Sequence, residues 1–130
     1  MVIKYDVITR NREELIDISH LVNQYIKEAK IQNGIVKIFV PHTTAAVTIN
    51  EKADPDVPRD IIHALRQIIP LDMGFHHFEG NSDAHTKTML VGVSEEIIVE
   101  NGKPFLGTWQ ALFFCEFDGP RHRKVYITSI

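Results

Sequence analysis

The sequence predicts a single α+β domain spanning residues 1–130. Three observations point there. Apolar and polar residues alternate with period two near both ends of the chain, apolar residues recur at helical spacing in its middle, and Glu100-Asn101-Gly102-Lys103 is the strongest hairpin signal present. In chain order these give strands, a helix, strands, two helices and strands, so mixed or antiparallel sheets with about three helices are expected.

Each element has its own warrant. Over Met1 to Thr9, Ile3, Tyr5 and Val7 alternate with Lys4 and Asp6, and Glu14 to Ile18 alternates again after Arg10-Asn11-Arg12, which predicts an opening hairpin. Ser19 is placed to cap a helix carrying Leu21, Val22, Tyr25, Ile26 and Ala29 on one face, with Gly34 as its end. Ile35 to Val40 reads as a buried strand, interrupted by Pro41 just before His42, and Thr43 to Asn50 resumes it. Asp54-Pro55-Asp56-Val57-Pro58 predicts a helix start capped by Asp56, and Val57, Ile61, Ile62, Leu65, Ile68 and Ile69 form the stripe expected to be buried. Leu71 to Gly80 has no period and reads as a loop. Asn81-Ser82-Asp83 opens a short third helix that Gly92 closes, and strands over Ile97–Glu100, Thr108–Phe117 and Lys124–Ile130 complete the sheets.

Composition limits the function classes. Fourteen basic against 17 acidic residues leave a formal net charge of −3, which gives no general attraction to nucleic acid or anionic membrane. The single cysteine, Cys115, lies in the apolar run Leu112-Phe113-Phe114-Cys115 and is expected to be a buried hydrophobe with no disulfide partner. No cleavable leader and no apolar stretch of about 20 residues is present, so the chain is expected to be cytoplasmic.

The chemistry concentrates on histidines. His42 follows a strand-breaking proline, His76 sits in the loop Phe75-His76-His77-Phe78-Glu79-Gly80, and His85 lies in the first turn of the third helix. Brought together, three neutral imidazoles would make a zinc-type site with one open position. His20, His63 and His122 have no comparable setting. Glu51, Glu79 and Asp60 neighbour these motifs as candidate bases or orienters of imidazole N–H groups, whereas Asp56 and Asp83 suit helix starts. Thr43, Lys87, Arg121 and Arg123, with the amides opening the third helix, are candidate phosphate ligands. Trp109 and Gln110 are expected in a pocket or subunit interface, Trp109 as a packing anchor.

Several motifs together resemble the YjbQ family, also called UPF0047: His42-Thr43-Thr44-Ala45-Ala46-Val47-Thr48-Ile49-Asn50-Glu51, Ala53-Asp54-Pro55-Asp56-Val57 with Asp60, Glu79-Gly80-Asn81-Ser82-Asp83-Ala84-His85-Thr86-Lys87 and Gly107-Thr108-Trp109-Gln110. The resemblance runs from about Gly34 to the carboxyl terminus. It implies a small α+β homotrimer, a histidine cluster able to hold a divalent metal such as zinc, and a secondary thiamine-phosphate-synthase activity on phosphorylated or pyrophosphorylated substrates. It places the cluster at His42, His76 and His85, with His77 on a variable position, and carries an arginine near the end onto Arg121. Two readings follow: an enzyme acting on such a substrate, or a trimer that binds a metal or small ligand without turnover of its own. A site near the subunit boundary is expected, because a small domain with short loops has little concave surface.

Overall fold

In the computed structural model, which describes residues 1–130, the elements are β1 (Val2–Ile8), β2 (Glu14–Asp17), α1 (Ser19–Glu28), β3 (Gly34–Phe39), β4 (Ala45–Glu51), α2 (Asp56–Ile68), α3 (Ser82–Val91), β5 (Ser94–Glu100), β6 (Lys103–Pro104), β7 (Gln110–Glu116) and β8 (His122–Ser129). They build a five-stranded sheet, β1-β8-β3-β5-β6, and a three-stranded sheet, β2-β7-β4, with every pairing antiparallel. The fold is α+β with three helices.

Period two explains the layers. On the larger sheet Tyr5, Val7, Val36, Ile38, Ile97, Val99, Val125 and Ile127 point inward, while Lys4, Asp6, Ile8, Lys124 and Ile98 point out. On the smaller sheet Val47, Leu112 and Phe114 meet that core, and α1 seals it with Leu21, Val22, Tyr25 and Ile26. The alternate residues Ala46, Cys115 and Phe117 face the other way, against Ala84 of α3, with Leu65 of α2 and Val91 packed alongside. The molecule is therefore a two-sheet sandwich whose smaller sheet is covered by α2 and α3, and whose larger sheet leaves its outer face open.

Several local expectations change. The opening hairpin does not form, because β1 pairs with β8 and β2 with β7, in different sheets. Alternation reported both strands but not their partners. Gly34 does not end α1; it starts β3 with φ of 147°. Ser19 is the first residue of α1, and its hydroxyl accepts the Leu112 N–H at 3.0 Å. Asp56 does not cap α2, which Pro55 precedes with no side-chain cap. The stripe on α2 is the largest departure: no residue of that helix is buried, and only Ile69, just beyond it, reaches the interior.

Two turns depend on glycine. Asn101 and Gly102 take φ of 52° and 72°, the paired positive values that join β5 to β6. Gly119 packs so closely under the first turn that a Cβ there would lie 2.2 Å from the Asn11 carbonyl oxygen. That contact brings the segment before β8 onto the segment before β2.

Candidate functional site

Where β3 ends, Pro41 has no amide N–H to extend the ladder, and the chain turns His42 toward β8. The Lys124 backbone N–H donates to His42 Nε2 at 2.9 Å, which fixes the ring. A nitrogen that accepts a hydrogen bond carries no proton, so the neutral ring bears its proton on Nδ1. Burial, and then the nearby Arg123 guanidinium, hold His42 below the ordinary imidazole range, against the pull of Glu116.

Facing His42 is α3, whose residues His85, Thr88 and Met89, with Gly92 just past its end, recur at the spacing of one helical face. His42, Thr43, His85, Thr88, Met89, Gly92 and Val93 line one open cavity of about 430 Å³. Thr88 is 4% exposed, and its hydroxyl has no hydrogen-bond partner. A second cavity of about 250 Å³ lies at the start of α3, among Leu71, Asp72, Phe75, His77, Gly80 and Ser82. The His77 ring meets the His85 ring edge-on, with centroids 5.6 Å apart, and so borders both regions.

The predicted three-histidine cluster is not assembled within one chain. His42 and His85 share a cavity, but His76 is exposed, and its neighbour His77 is the ring that approaches His85. No group of three or more His, Cys, Asp or Glu side chains stands close enough to hold a metal ion. His42 adds a chemical reason: the lone pair on Nε2 is already taken by Lys124, and its other nitrogen carries the proton. A coordinating imidazole needs a free lone pair. Within one chain these donors do not by themselves make a metal site.

Two candidate phosphate ligands lie in buried ion pairs. Lys87 has a side chain only 1% exposed; its ammonium donates to Glu13 at 2.7 Å and to Asp83 at 3.4 Å. Arg123 is equally committed, donating to Glu116 from Nε at 2.8 Å and from Nη2 at 2.5 Å, and to the Thr44 hydroxyl at 2.8 Å. A cation so enclosed is not offered to a ligand. Arg121 is half exposed and donates to the Asp118 carbonyl and carboxylate, while Thr43 does line the larger cavity.

These pairs belong to two buried charge clusters. In one, Glu116 accepts from Arg123 and from the Thr9 hydroxyl; burial alone would raise its carboxyl, yet these bonds hold it below its ordinary value. In the other, burial opposes but does not overcome Lys87 and Arg66 at Glu13, or Arg12 at Asp83, so both carboxyls are likewise lowered. Arg12 reaches both Asp83 oxygens at 3.0 and 3.1 Å. This second cluster ties α3, and with it His85, to the segment before β2.

The remaining candidates lie outside the larger cavity. Asp60 is exposed on α2, Glu51 ends β4, and Glu79 stands 3.8 Å from His77 Nε2 as an exposed pair. Trp109 is 61% exposed and packs in no core, and Gln110 Oε1 accepts the Gly107 N–H at 2.9 Å. Cys115 is buried, as expected, and burial pushes its thiol up to about 12. Reasoning from sequence missed Thr88, Met89, Gly92 and Val93. The i, i+3, i+4, i+7 series beginning at His85 is the signal that would have found the first three.

The sandwich and its histidine-bearing cavity define an α+β protein with a concave surface between a strand junction and a helix. The chain belongs to the UPF0047, YjbQ-like family, whose model matches residues 3–130. It is 55% identical over 130 residues to a UPF0047 protein of Methanocaldococcus jannaschii, covering 100% of this chain and 94% of that one. It is 48% identical to the UPF0047 protein YugU of Bacillus subtilis, over 92% of this chain and 91% of that protein. A crystal structure of an uncharacterized YjbQ/UPF0047 protein from Clostridium acetobutylicum superposes with a TM-score of 0.96 at 50% identity, over 98% and 99% of the two chains. A protein of unknown function from Sulfolobus solfataricus gives 0.94 at 32% identity, over 99% and 95%. No helix is long and apolar enough to cross a membrane.

Proposed function

We propose that this protein binds a small ligand in the cavity between the β3–β4 junction and α3, and that it does so as a homotrimer. One observation carries the reading: two histidines from separate elements line the same cavity. Imidazole nitrogens that converge on one cavity from separate elements offer a bound molecule directional hydrogen bonds. A thermal-shift screen followed by turnover assays tests this. Ligands that raise the midpoint in the parent but not in His85→Ala support it; a panel that stabilises both proteins equally removes it. Stoichiometric metal in protein purified without a histidine tag would replace hydrogen bonding by coordination as the binding chemistry.

The homotrimer is supported by the family resemblance and by α2, whose apolar stripe is only half-buried apart from Ile68, which is 64% exposed. Light scattering should give three times 14.9 kDa, and a stable monomer at micromolar concentration would refute it.

A second reading, a transferase resembling secondary thiamine-phosphate synthase, has its own support. The smaller cavity opens on the first turn of α3, where unpaired amides and the helix field favour an anion, and His77 borders it. Incubation with the pyrimidine pyrophosphate and the thiazole phosphate tests that version. Product formation no greater than that of His85→Ala counts against it.

A further inference from the structure

We infer that the free edge of β1 is a docking surface for a second copy of this chain: two β1 strands pair antiparallel about a two-fold axis at Tyr5 and join their larger sheets into one.

Hydrogen bonding singles out this edge. The Thr9 N–H donates to the Arg121 carbonyl at 3.0 Å and continues the β1–β8 ladder, so Ile3, Tyr5 and Val7 also bond β8, because bonded residues alternate along an antiparallel pair. Val2, Lys4, Asp6 and Ile8 therefore turn their N–H and C=O groups to the open side, where no strand answers them. The other sheet edges are short or taken. Strand β6 has two residues, one of them a proline, β2 has four, and the Val47 N–H of β4 donates to the Gly92 carbonyl. A bare strand of seven residues invites a partner unless its side chains repel one.

The side chains of β1 fit their own reverse. With two strands antiparallel about Tyr5, Lys4 lies opposite Asp6 of the second copy and Asp6 opposite its Lys4, while Val2, 60% exposed, meets Ile8, 62% exposed. These are the residues whose backbone groups are free. Asp6 engages His122 and Lys124 through Oδ1 alone, which leaves Oδ2 for the second copy, and Lys4 rests on the Tyr126 ring at 5.4 Å with no carboxylate of its own. On the inner side the same register sets Ile3 against Val7, both packed on the core. Sliding by two residues either way brings Asp6 onto Asp6 or Lys4 onto Lys4, and sliding by one sets free backbone groups against bonded ones. Charge and bonding thus select one register.

A single strand edge buries less than the about 1,200 Å² of a standard interface, so the contact is weak and forms on concentration. It doubles whatever assembly carries it, a trimer to a hexamer or a monomer to a dimer, and failure of the trimer therefore leaves its test intact.

That test is sedimentation equilibrium of the full chain from about 10 μM to about 1 mM, with amide hydrogen exchange read by NMR at both ends of the range. The mass should double across it. At the higher concentration the Lys4, Asp6 and Ile8 amides should exchange at least about tenfold more slowly, while Tyr5 and Val7 stay protected throughout. Asp6→Lys and Lys4→Asp each set like charges opposite one another and should abolish the doubling. Mixed in equal amounts, the two variants regain opposite charges across the axis and should restore it. Both positions are exposed, and recovery in the mixture shows that each variant is folded. A mass that stays constant to about 1 mM overturns the inference. So does doubling that either variant retains alone, doubling that leaves those amides fast, or a mixture that fails to recover it.

Discussion

Helices α1 and α2 carry the same kind of sequence and meet opposite fates. Each repeats apolar residues on one face, yet α1 buries Leu21, Val22, Tyr25 and Ile26 against both sheets while α2 buries nothing within its span. An amphipathic stripe states that a face avoids water; it does not state which surface covers it. On α1 the cover is the sandwich core. On α2 the proposed cover is a second copy of the chain.

The sharpest way to break that contrast is by truncation. Tyr25 is 0% exposed, and its hydroxyl joins the two ends of the chain, donating to the Met1 carbonyl and accepting the Ser129 N–H. Tyr25→Ala should cost about 3–5 kcal/mol, read by urea unfolding. Ile61→Ala on α2 should cost less than about 1.5 kcal/mol in dilute protein and should lower the concentration dependence of the midpoint. Equal costs that do not vary with protein concentration would place α2 in the core of a single chain.

Charge extends the comparison. Glu116→Gln leaves Arg123 charged between the sheets and should cost about 3–5 kcal/mol. Arg66→Ala, which frees α2 from Glu13 at a position 57% exposed, should cost no more than about 1 kcal/mol because Lys87 remains on Glu13.

A smaller effect follows from acidification. Glu13, Asp83 and Glu116 all titrate lower in the folded protein than their ordinary values. The unfolded chain thus binds more protons, and stability that is full above the ordinary carboxyl range of about pH 4 falls as pH drops through the lowered values. Denaturant midpoints should be level near neutrality and decline below about pH 4. A midpoint unchanged down to about pH 2 would contradict the clusters.

The smallest expected signal is at Cys115, beneath the α2 and α3 side. With its thiol at about 12 and buried, it should react with a thiol reagent at about pH 8 only after unfolding. Rapid native labelling would mean that the helical cover opens readily.

Much of this molecule is set locally. Strands β1, β3, β4 and β8, the helices and the Asn101-Gly102 turn follow from period, breakers and positive φ, properties of short stretches that need no distant partner. Pro41 likewise marks the place where the chain leaves the sheet and makes His42 available. Tertiary structure decided the rest. It separated β1 from β2 into different sheets, set His77 instead of His76 beside His85, and drew Lys87 and Arg123 out of the candidate site into buried pairs. Those outcomes depend on contacts between residues as far apart as Val2 and Thr128. A charged side chain is written identically in the sequence whether water, a ligand or a buried carboxylate answers it, and only the packed fold determines which one does.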